Sequence, residues 1–349
     1  MEKTIGYAVV GLGVGKSHVK GAIAAQGCKL VALCDIRPEQ LDNARANIPG
    51  AEEAKCYDDY AEMLRNPDID IVSICTPSGM HADMAVQALH AGKHVLIEKP
   101  MDINVEQIMR IEAARQQTGL KVGGIFQNRR NAVIEPFKCA VDSGRLGEIY
   151  AAFFRVNWYR SDEYFLQNGG WRGTWAMDGG GSLMNQAVHT VDLMQWLLGD
   201  AASVKSHMRV VNHEIETEDF TQSTIRFKSG TIATFVSTTS AYPGLGTELQ
   251  LTGTNGSIHI DGDKVIKWKI RGERMEEEEA EMQERFGGGG AGITSDPSIV
   301  RGHPYQVQDM VDAVRFGREP MVGPVEATKA VRIINAVYES ARTGEEVVF

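Results

Sequence analysis

The sequence lacks any apolar run long enough to span a bilayer, so a helical membrane protein is excluded. It has little positive charge to spare. The net charge is −10, and no cluster of lysine and arginine offers a track for a phosphate backbone, which argues against nucleic acid as the main partner. Cysteine is sparse: Cys28, Cys34, Cys56, Cys75 and Cys139 are odd in number and scattered. They suggest neither a disulfide framework nor a metal site, and no metal is expected. Cys34 and Cys75 fall inside apolar strand patterns, where a small buried thiol is the common role. No signal-peptide pattern precedes the first strand-like segment, and a reduced, cytoplasmic setting is the expectation. What is present is ordinary globular composition, 43% apolar and 23% charged over 349 residues. That length suits two domains of about 100–200 residues each.

The stretch His94-Val-Leu-Ile-Glu-Lys-Pro-Met101 organises the first part. His94–Ile97 reads as a short buried strand ending in Glu98-Lys99-Pro100. Pro100 removes a backbone donor and biases Lys99 toward an extended conformation, aiming its ammonium out over the strand end. An open α/β sheet places its chemistry at such carboxyl ends. The alternative is a solvated Glu-Lys turn.

Around this stretch the chain alternates strands and helices. Ile5–Val10 runs into Gly11-Leu-Gly13-Val-Gly15, a helix over about Lys16–Ala25, and a second strand, Leu30–Cys34, closed by Asp35. Gly11 permits the tight turn and Gly13 lets the backbone approach a pyrophosphate. The helix N-terminus adds unpaired N–H groups. Asp35, 24 residues after Gly11, suits a ribose diol and repels a 2′-phosphate, so NAD is preferred to NADP, although Arg37 stands close enough to accept such a phosphate. The glycine spacing is one residue short of the usual turn, since Lys16 stands where the third glycine would fall. Further strands are expected near Ala54–Tyr57, Ile69–Cys75 and Lys121–Ile125, with helices over Pro38–Ala46, Tyr60–Arg65, His81–His90 and Asn104–Thr118. Repeated β–α units of this kind imply a doubly wound parallel sheet, a Rossmann domain over residues 1–125. Gly11, Thr76 and Glu98-Lys99 then share one edge.

From residue 126 to 349 the character changes. After Gln127-Asn-Arg129-Arg and a helix (Asn131–Asp142), long alternating strands begin at Ile149–Asn157 and recur through Val265–Ile270. This reads as an α+β domain with a large, mainly antiparallel open sheet, the last helix (Glu326–Ala341) serving as scaffold and free to pack back on the N-terminal domain. Helices on one face leave the other to be covered, and self-association through that sheet, as a dimer or tetramer, is expected. Gly179-Gly-Gly-Ser182 marks a helix start. On one continuous helix Asn185, His189, Asp192 and Trp196 would share a face, a polar stripe that needs partners or a cleft. The alternative is a structural His189 satisfied by Asp192. The segment from Trp158 to Trp175 is rich in aromatics and arginine. It reads either as a platform for a polyol ring or as a packed loop. Arg274–Arg285 reads as a solvated helix or loop, Gly287–Gly290 as a flexible stretch, and His303 as a surface residue at a helix start.

The run Thr76-Pro77…His81…Ala91-Gly-Lys-His94-Val-Leu-Ile-Glu98-Lys99-Pro100 resembles the glucose–fructose oxidoreductase / inositol dehydrogenase / MocA (Gfo/Idh/MocA) family over essentially the whole chain. Gly179-Gly-Gly…Asn185-x-Ala187-x-His189-x-x-Asp192 resembles its second signature, with Asn185 where many members carry Asp and Ala187 where many carry Gly. The resemblance implies an NAD(P)-dependent oxidoreductase acting on a secondary hydroxyl or keto group of a sugar, glycoside or cyclitol. It implies Lys99 and His189 as catalytic groups, with Asn185 orienting a hydroxyl because an amide exchanges no proton. It places Gly11, Gly13, Val14, Gly15, Asp35, Arg37, Thr76, Pro77, His81, Glu98, Lys99 and Gln127 at the cofactor, and Arg129, Tyr159, Trp171 and Arg172 with Lys99, Asn185 and His189 at the substrate. Redox-assisted glycoside conversion with tightly held NAD, a non-enzymatic NAD-sensing regulator, and reduction of a small aldehyde or imine are the alternatives.

Overall fold

In a computed structural model, which describes residues 3–287 and 302–349, the chain divides into two compact units. The first comprises Met1–Gln127 and Val300–Thr328, the second Asn128–Ile299 and Lys329–Phe349.

The first unit follows the expected alternation: β1 (Ile5–Val10), α1 (Gly15–Ala24), β2 (Cys28–Cys34), α2 (Pro38–Asn47), β3 (Lys55–Tyr57), α3 (Tyr60–Leu64), β4 (Ile71–Ile74), α4 (His81–His90), β5 (His94–Ile97), α5 (Val105–Thr118) and β6 (Val122–Gly124). The six strands form one parallel sheet in the order β3-β2-β1-β4-β5-β6. β1 and β4 are buried at every position, the mark of a strand covered on both faces. The strand order reverses at β1 and β4, and ligands of open α/β sheets bind at such a switch point. Both β1 and β4 run out at this point, into Gly11 and Thr76. The Ala91-Gly-Lys-His signature is structural. Gly92 takes φ +78° to end α4, and buried Lys93 donates to the Asn66 and Ile69 carbonyls, both at 2.9 Å.

The second unit contains α6 (Ile134–Asp142), β7 (Ile149–Asn157), α7 (Asp162–Leu166), a π turn at Ser182–Gln186, α8 (Val188–Leu198), β8 (Ala201–Arg209), β9 (Phe220–Phe227), β10 (Ile232–Thr238), β11 (Gly246–Gly253), β12 (Gly256–Asp261), β13 (Lys264–Ile270) and α9 (Met275–Phe286). Its eight-stranded sheet, β13-β12-β11-β7-β10-β9-β8-β14 with β14 at Val347–Val348, is antiparallel except where β10 lies parallel to β7. Side chains alternate strictly on β9 and, from Ala151 onward, on β7. Phe154 and Val156 point into the core, and Phe153 and Arg155 point away from it.

Two boundaries differ from the sequence reading. The segment that returns to the first unit is α10 (His303–Phe316), and not chiefly the last helix, α11 (Pro324–Thr343), which the division crosses after Thr328. Val307, Met310 and Val311 of α10 are buried with Val19 and Ala22 of α1 in one core. α9 is also more than a solvated helix. Glu279 is buried and accepts from the Trp268 amide, while Glu278 pairs with Arg145. The glycines expected to be flexible lie, from Gly288 on, outside the described residues. Among the described residues no helix is long and apolar enough to cross a membrane.

Gly11 carries the sharpest steric demand of the nucleotide loop. It sits at φ +84°, and a Cβ there would stand 2.6 Å from the Cys75 carbonyl oxygen. Gly11→Ala is expected to lower the unfolding free energy by about 2 kcal/mol or more, read by urea denaturation. An unchanged midpoint would show that the turn tolerates a side chain.

Candidate active site

The carboxyl ends of β1, β2, β4 and β5 gather most of the residues expected at a cofactor. Asp35 is buried, and its Oδ2 accepts the Leu12 amide at 2.8 Å, while Oδ1 accepts the Arg37 amide at 3.0 Å and Arg37 Nε at 3.2 Å. Asp35 thus fixes the glycine loop, and the Arg37 guanidinium, the alternative receiver of a 2′-phosphate, is paired with it. Gly13 and Val14 are exposed, Gly13 has open space where a Cβ would be, and α1 begins at Gly15 with no side chain capping its amides. A pyrophosphate fits such a helix start, and ribose hydroxyls would reach Asp35 by exchanging with its Arg37 guanidinium contacts. These residues fit a dinucleotide.

Two expected cofactor residues, His81 and Glu98, have other work. His81 is fully buried, with Nδ1 2.8 Å from the Pro100 carbonyl and Nε2 2.9 Å from that of Thr76. It braces two strand ends and is not free to touch a ligand. Burial lowers its pKa despite those carbonyls. Glu98 is only 3% exposed, so the solvated-turn alternative fails for it. Its Oε1 accepts from Nε2 of His18 and of His303, each at 2.9 Å, and its Oε2 accepts the Lys99 amide at 3.1 Å. Burial alone would raise this carboxyl; the two histidine hydrogen bonds and charges outweigh it and hold Glu98 well below the usual range. His303 is accordingly no surface residue. The ligating atoms of His18, Glu98 and His303 lie within 4.8 Å of one another, a grouping that the sequence spacing hides. His18 Nδ1 continues to Ser73 Oγ at 2.9 Å, and Ser73 to the Tyr7 hydroxyl at 2.5 Å. Since Glu98 only accepts, both imidazoles donate from Nε2. Thr76 and Pro77 end β4, Gln127 begins the turn after β6, and the Lys99–Pro100 peptide is cis.

In the second unit the expected single helix is broken. Ser182–Gln186 winds as a π turn, and α8 begins only at Val188. The widened turn removes the shared face drawn from Asn185 to Trp196. Its cause is Glu218, which the sequence reading missed. Buried Glu218 accepts the amides of Gly181 (3.2 Å), Ser182 (2.8 Å) and Leu183 (3.1 Å), Ser182 Oγ (2.9 Å) and the Tyr338 hydroxyl (2.6 Å). The glycines follow from that packing, since a Cβ on Gly181 would stand 1.9 Å from the Glu218 carbonyl oxygen and one on Gly180 2.0 Å from the Tyr338 hydroxyl. Tyr338 gives α11 a part in the site beyond scaffold.

Asn185 is buried. Its Nδ2 donates to Asp178, and its Oδ1 receives Gln186 Nε2 at 2.7 Å and the Tyr164 hydroxyl at 3.4 Å. His189 lies on the first turn of α8, partly exposed, while Leu183, Met184, Ala187, Val188 and Val191 are buried. Asp192 takes Arg129 in a bidentate pair, 2.8 and 2.6 Å. Arg129, expected at the substrate, is buried by this pair and stacked over Trp196. The aromatic segment divides between its two readings. Phe165 and Trp175 pack, Trp175 donating to the Glu216 carbonyl at 3.0 Å, whereas Trp171, Arg172 and Tyr164 cluster beside Asn185 and Gln186. Tyr159 packs edge-on against exposed Tyr242.

Comparison with known proteins matches residues 5–125 to the oxidoreductase family with an NAD-binding Rossmann fold, and residues 136–259 to the GFO/IDH/MocA C-terminal domain. The chain belongs to the Gfo/Idh/MocA family. It is therefore an NAD-binding oxidoreductase. Similar members include scyllo-inositol 2-dehydrogenase (NAD(+)) of Bacillus subtilis, 26% identical over 99% of this chain and 97% of the relative. Another is 1,5-anhydro-D-fructose reductase of Ensifer adhaerens, 30% identical over 70% of this chain and 72% of the relative. Among solved structures, the WlbA dehydrogenase of Bordetella pertussis in complex with NADH and UDP-GlcNAcA is 30% identical, with TM-score 0.88 over 100% of this chain and 98% of that one.

The Glu98 cluster gives this Gfo/Idh/MocA member a pH signature. Its folded pKa is depressed, so its stabilisation is fully present above the unfolded value of about 4.3 and is lost as pH falls through the folded one. Glu98→Gln is expected to cost about 2–4 kcal/mol at pH 7, the difference from the unaltered protein shrinking below about pH 4. Thermal unfolding across pH measures this, and a difference independent of pH would refute the assignment.

Proposed function

We propose that the protein is an NAD-dependent dehydrogenase of a secondary hydroxyl on a sugar, glycoside or cyclitol. The observation that carries this reading is the polar group Asn185, Gln186 and His189 on a segment whose neighbours are buried and apolar, joined by the Tyr164 hydroxyl of α7. Such a group recognises hydroxyls, and the relatives named for inositol, anhydrofructose and a nucleotide-linked sugar acid support that substrate range. In this reading His189 takes the hydroxyl proton as general base. Lys99, its backbone amide held by Glu98, contributes an ammonium that stabilises developing alkoxide. Asn185, whose carbonyl oxygen is already engaged by donors, positions a neighbouring hydroxyl. NAD, when bound, supplies the hydride acceptor.

Lys99→Met and His189→Ala are each expected to lower turnover about 100-fold or more, with the NAD dissociation constant within about threefold of the original. NADH absorbance with a panel of sugars, glycosides and inositols, together with NAD titration, reads both quantities. Parallel loss of turnover and NAD binding would remove Lys99 and His189 from the chemistry. A 3-keto product without net NADH would point to the redox-assisted alternative.

The same proposal includes self-association through the outer face of the eight-stranded sheet. Phe153 is 53% and Ile232 50% exposed there, with Thr234 opposite the first and Ala151 opposite the second. Exposed aromatic and β-branched residues on an open sheet are otherwise a liability. Phe153→Glu is expected to shift the sedimenting species toward a monomer, and an unaltered protein that sediments as a monomer at micromolar concentration would dismiss the interface.

A further inference from the structure

The arginines beside Tyr164 raise a question of charge. Arg160 donates from Nε at 3.1 Å and from Nη2 at 2.7 Å to Gln186 Oε1, and from Nη1 at 3.1 Å to the Tyr159 carbonyl. Every acceptor is neutral. Its guanidinium lies 5.0 Å from the centre of the Trp158 ring and 5.2 Å from that of Tyr164. Arg172 lies 4.6 Å from the centre of the same Tyr164 ring and 4.9 Å from that of Trp171. Its Nη1 is buried from solvent and has no hydrogen-bond partner among the described residues. Neither arginine makes an ion pair among the described residues.

This arrangement is costly by itself. A guanidinium cannot relieve its burial by losing a proton, and two like charges share one ring. Aromatic faces offset part of the cost but provide no acceptor for Nη1. The neighbouring carboxylates are engaged elsewhere: Asp178 with Asn185 and the Gly173 amide, Glu216 with the Trp175 amide. An anion brought from outside would supply Arg172 Nη1 with the acceptor it lacks among the described residues. The Tyr164 hydroxyl links this group to the substrate-facing polar residues, receiving Gln186 Nε2 at 2.7 Å and donating to Asn185 Oδ1 at 3.4 Å.

We infer that the substrate is an acid, a sugar or cyclitol derivative bearing a carboxylate that Arg172 receives, with Arg160 as the second positive charge. A planar carboxylate matches the guanidinium fork. A phosphate, with three oxygens to satisfy, is served less well, because the N–H groups of Arg160 are already committed to Gln186 and Tyr159. The inference rests on the dehydrogenase reading for its chemistry but not for its binding.

The test compares matched pairs: glucuronate with glucose, galacturonate with galactose, mannuronate with mannose, each free and as the methyl glycoside, with glucose 6-phosphate as the phosphate arm. Calorimetric binding and NADH formation are measured for each. At least one uronate is expected to bind more tightly than its neutral parent. Arg172→Ala should lower the acid-to-neutral ratio of kcat/KM by roughly 10- to 100-fold, and Arg172→Lys by less. Thermal unfolding and NAD titration of both variants identify a folding defect, in which case the preference of the unaltered protein decides alone. No acid preferred over its parent, equal losses on both members of a pair, or glucose 6-phosphate preferred over every uronate overturns the inference. Uronate binding without NADH formation in the unaltered protein would sink the dehydrogenase reading and leave the acid site standing. Turnover of neutral sugars with no acid preference would do the reverse.

Discussion

Buried carboxylates that accept several donors at once hold the functional loops of this protein. Asp35 gathers the Leu12 and Arg37 amides, Asp102 those of Ala82 and Ile103, and Asp219 those of Val211, Asn212 and His213. Glu98 joins two histidines to the Lys99 amide, and Glu218 gathers three consecutive amides and two hydroxyls. A carboxylate is suited to this task because it has about four lone-pair sites and needs no donor of its own. Desolvating it is expensive, so it persists in the interior only where donors converge. The loops it binds lose their freedom together, because releasing one donor leaves charge poorly satisfied for the rest.

This has a direct bearing on chemistry. Catalytic side chains need their backbone fixed within a fraction of an ångström. Lys99 follows a strand end whose preceding residue is clamped on one carboxylate oxygen by two imidazoles and on the other by the amide of Lys99 itself. Asn185 and Gln186 rise from a turn whose first amides are clamped by Glu218. The π turn is a further device of the same sort. It inserts residues into a buried segment at a widened pitch, so that amide side chains reach one another and Tyr164 without an α-helical ladder to obey.

The strands and helices of the first unit were legible because buried parallel strands read as unbroken apolar runs and most of its turns carry a glycine or a proline. β5 and α4 fall on the residues expected for them. The second sheet was legible from strict alternation, as in β7 and β9. What was hidden is partner choice across distance. Glu98 and His303 are separated by 205 positions, and Glu218 and Tyr338 by 120, so no local pattern announces either pair. The glycine run before Ser182 was visible, but it was read as a helix start, whereas the steric demand comes from Glu218 and Tyr338. Likewise Arg129 looked like a ligand contact because an arginine in a loop carries no sign of the aspartate that will claim it. The signal available was the heptad-like offset of Asp192 from Asn185, which marked a buried carboxylate without naming its mate.

The return of α10 makes the nucleotide-binding unit discontinuous along the chain. A piece ending at residue 127 would leave Glu98 without one of its imidazoles and α1 without the apolar surface of Val307, Met310 and Val311. The second unit is discontinuous in the same way, since it is completed by Lys329–Phe349, so the chain passes between the units after residues 127, 299 and 328. Recombination that exchanges one unit for another must make a joint at each of these passages, and a single crossover yields two incomplete halves.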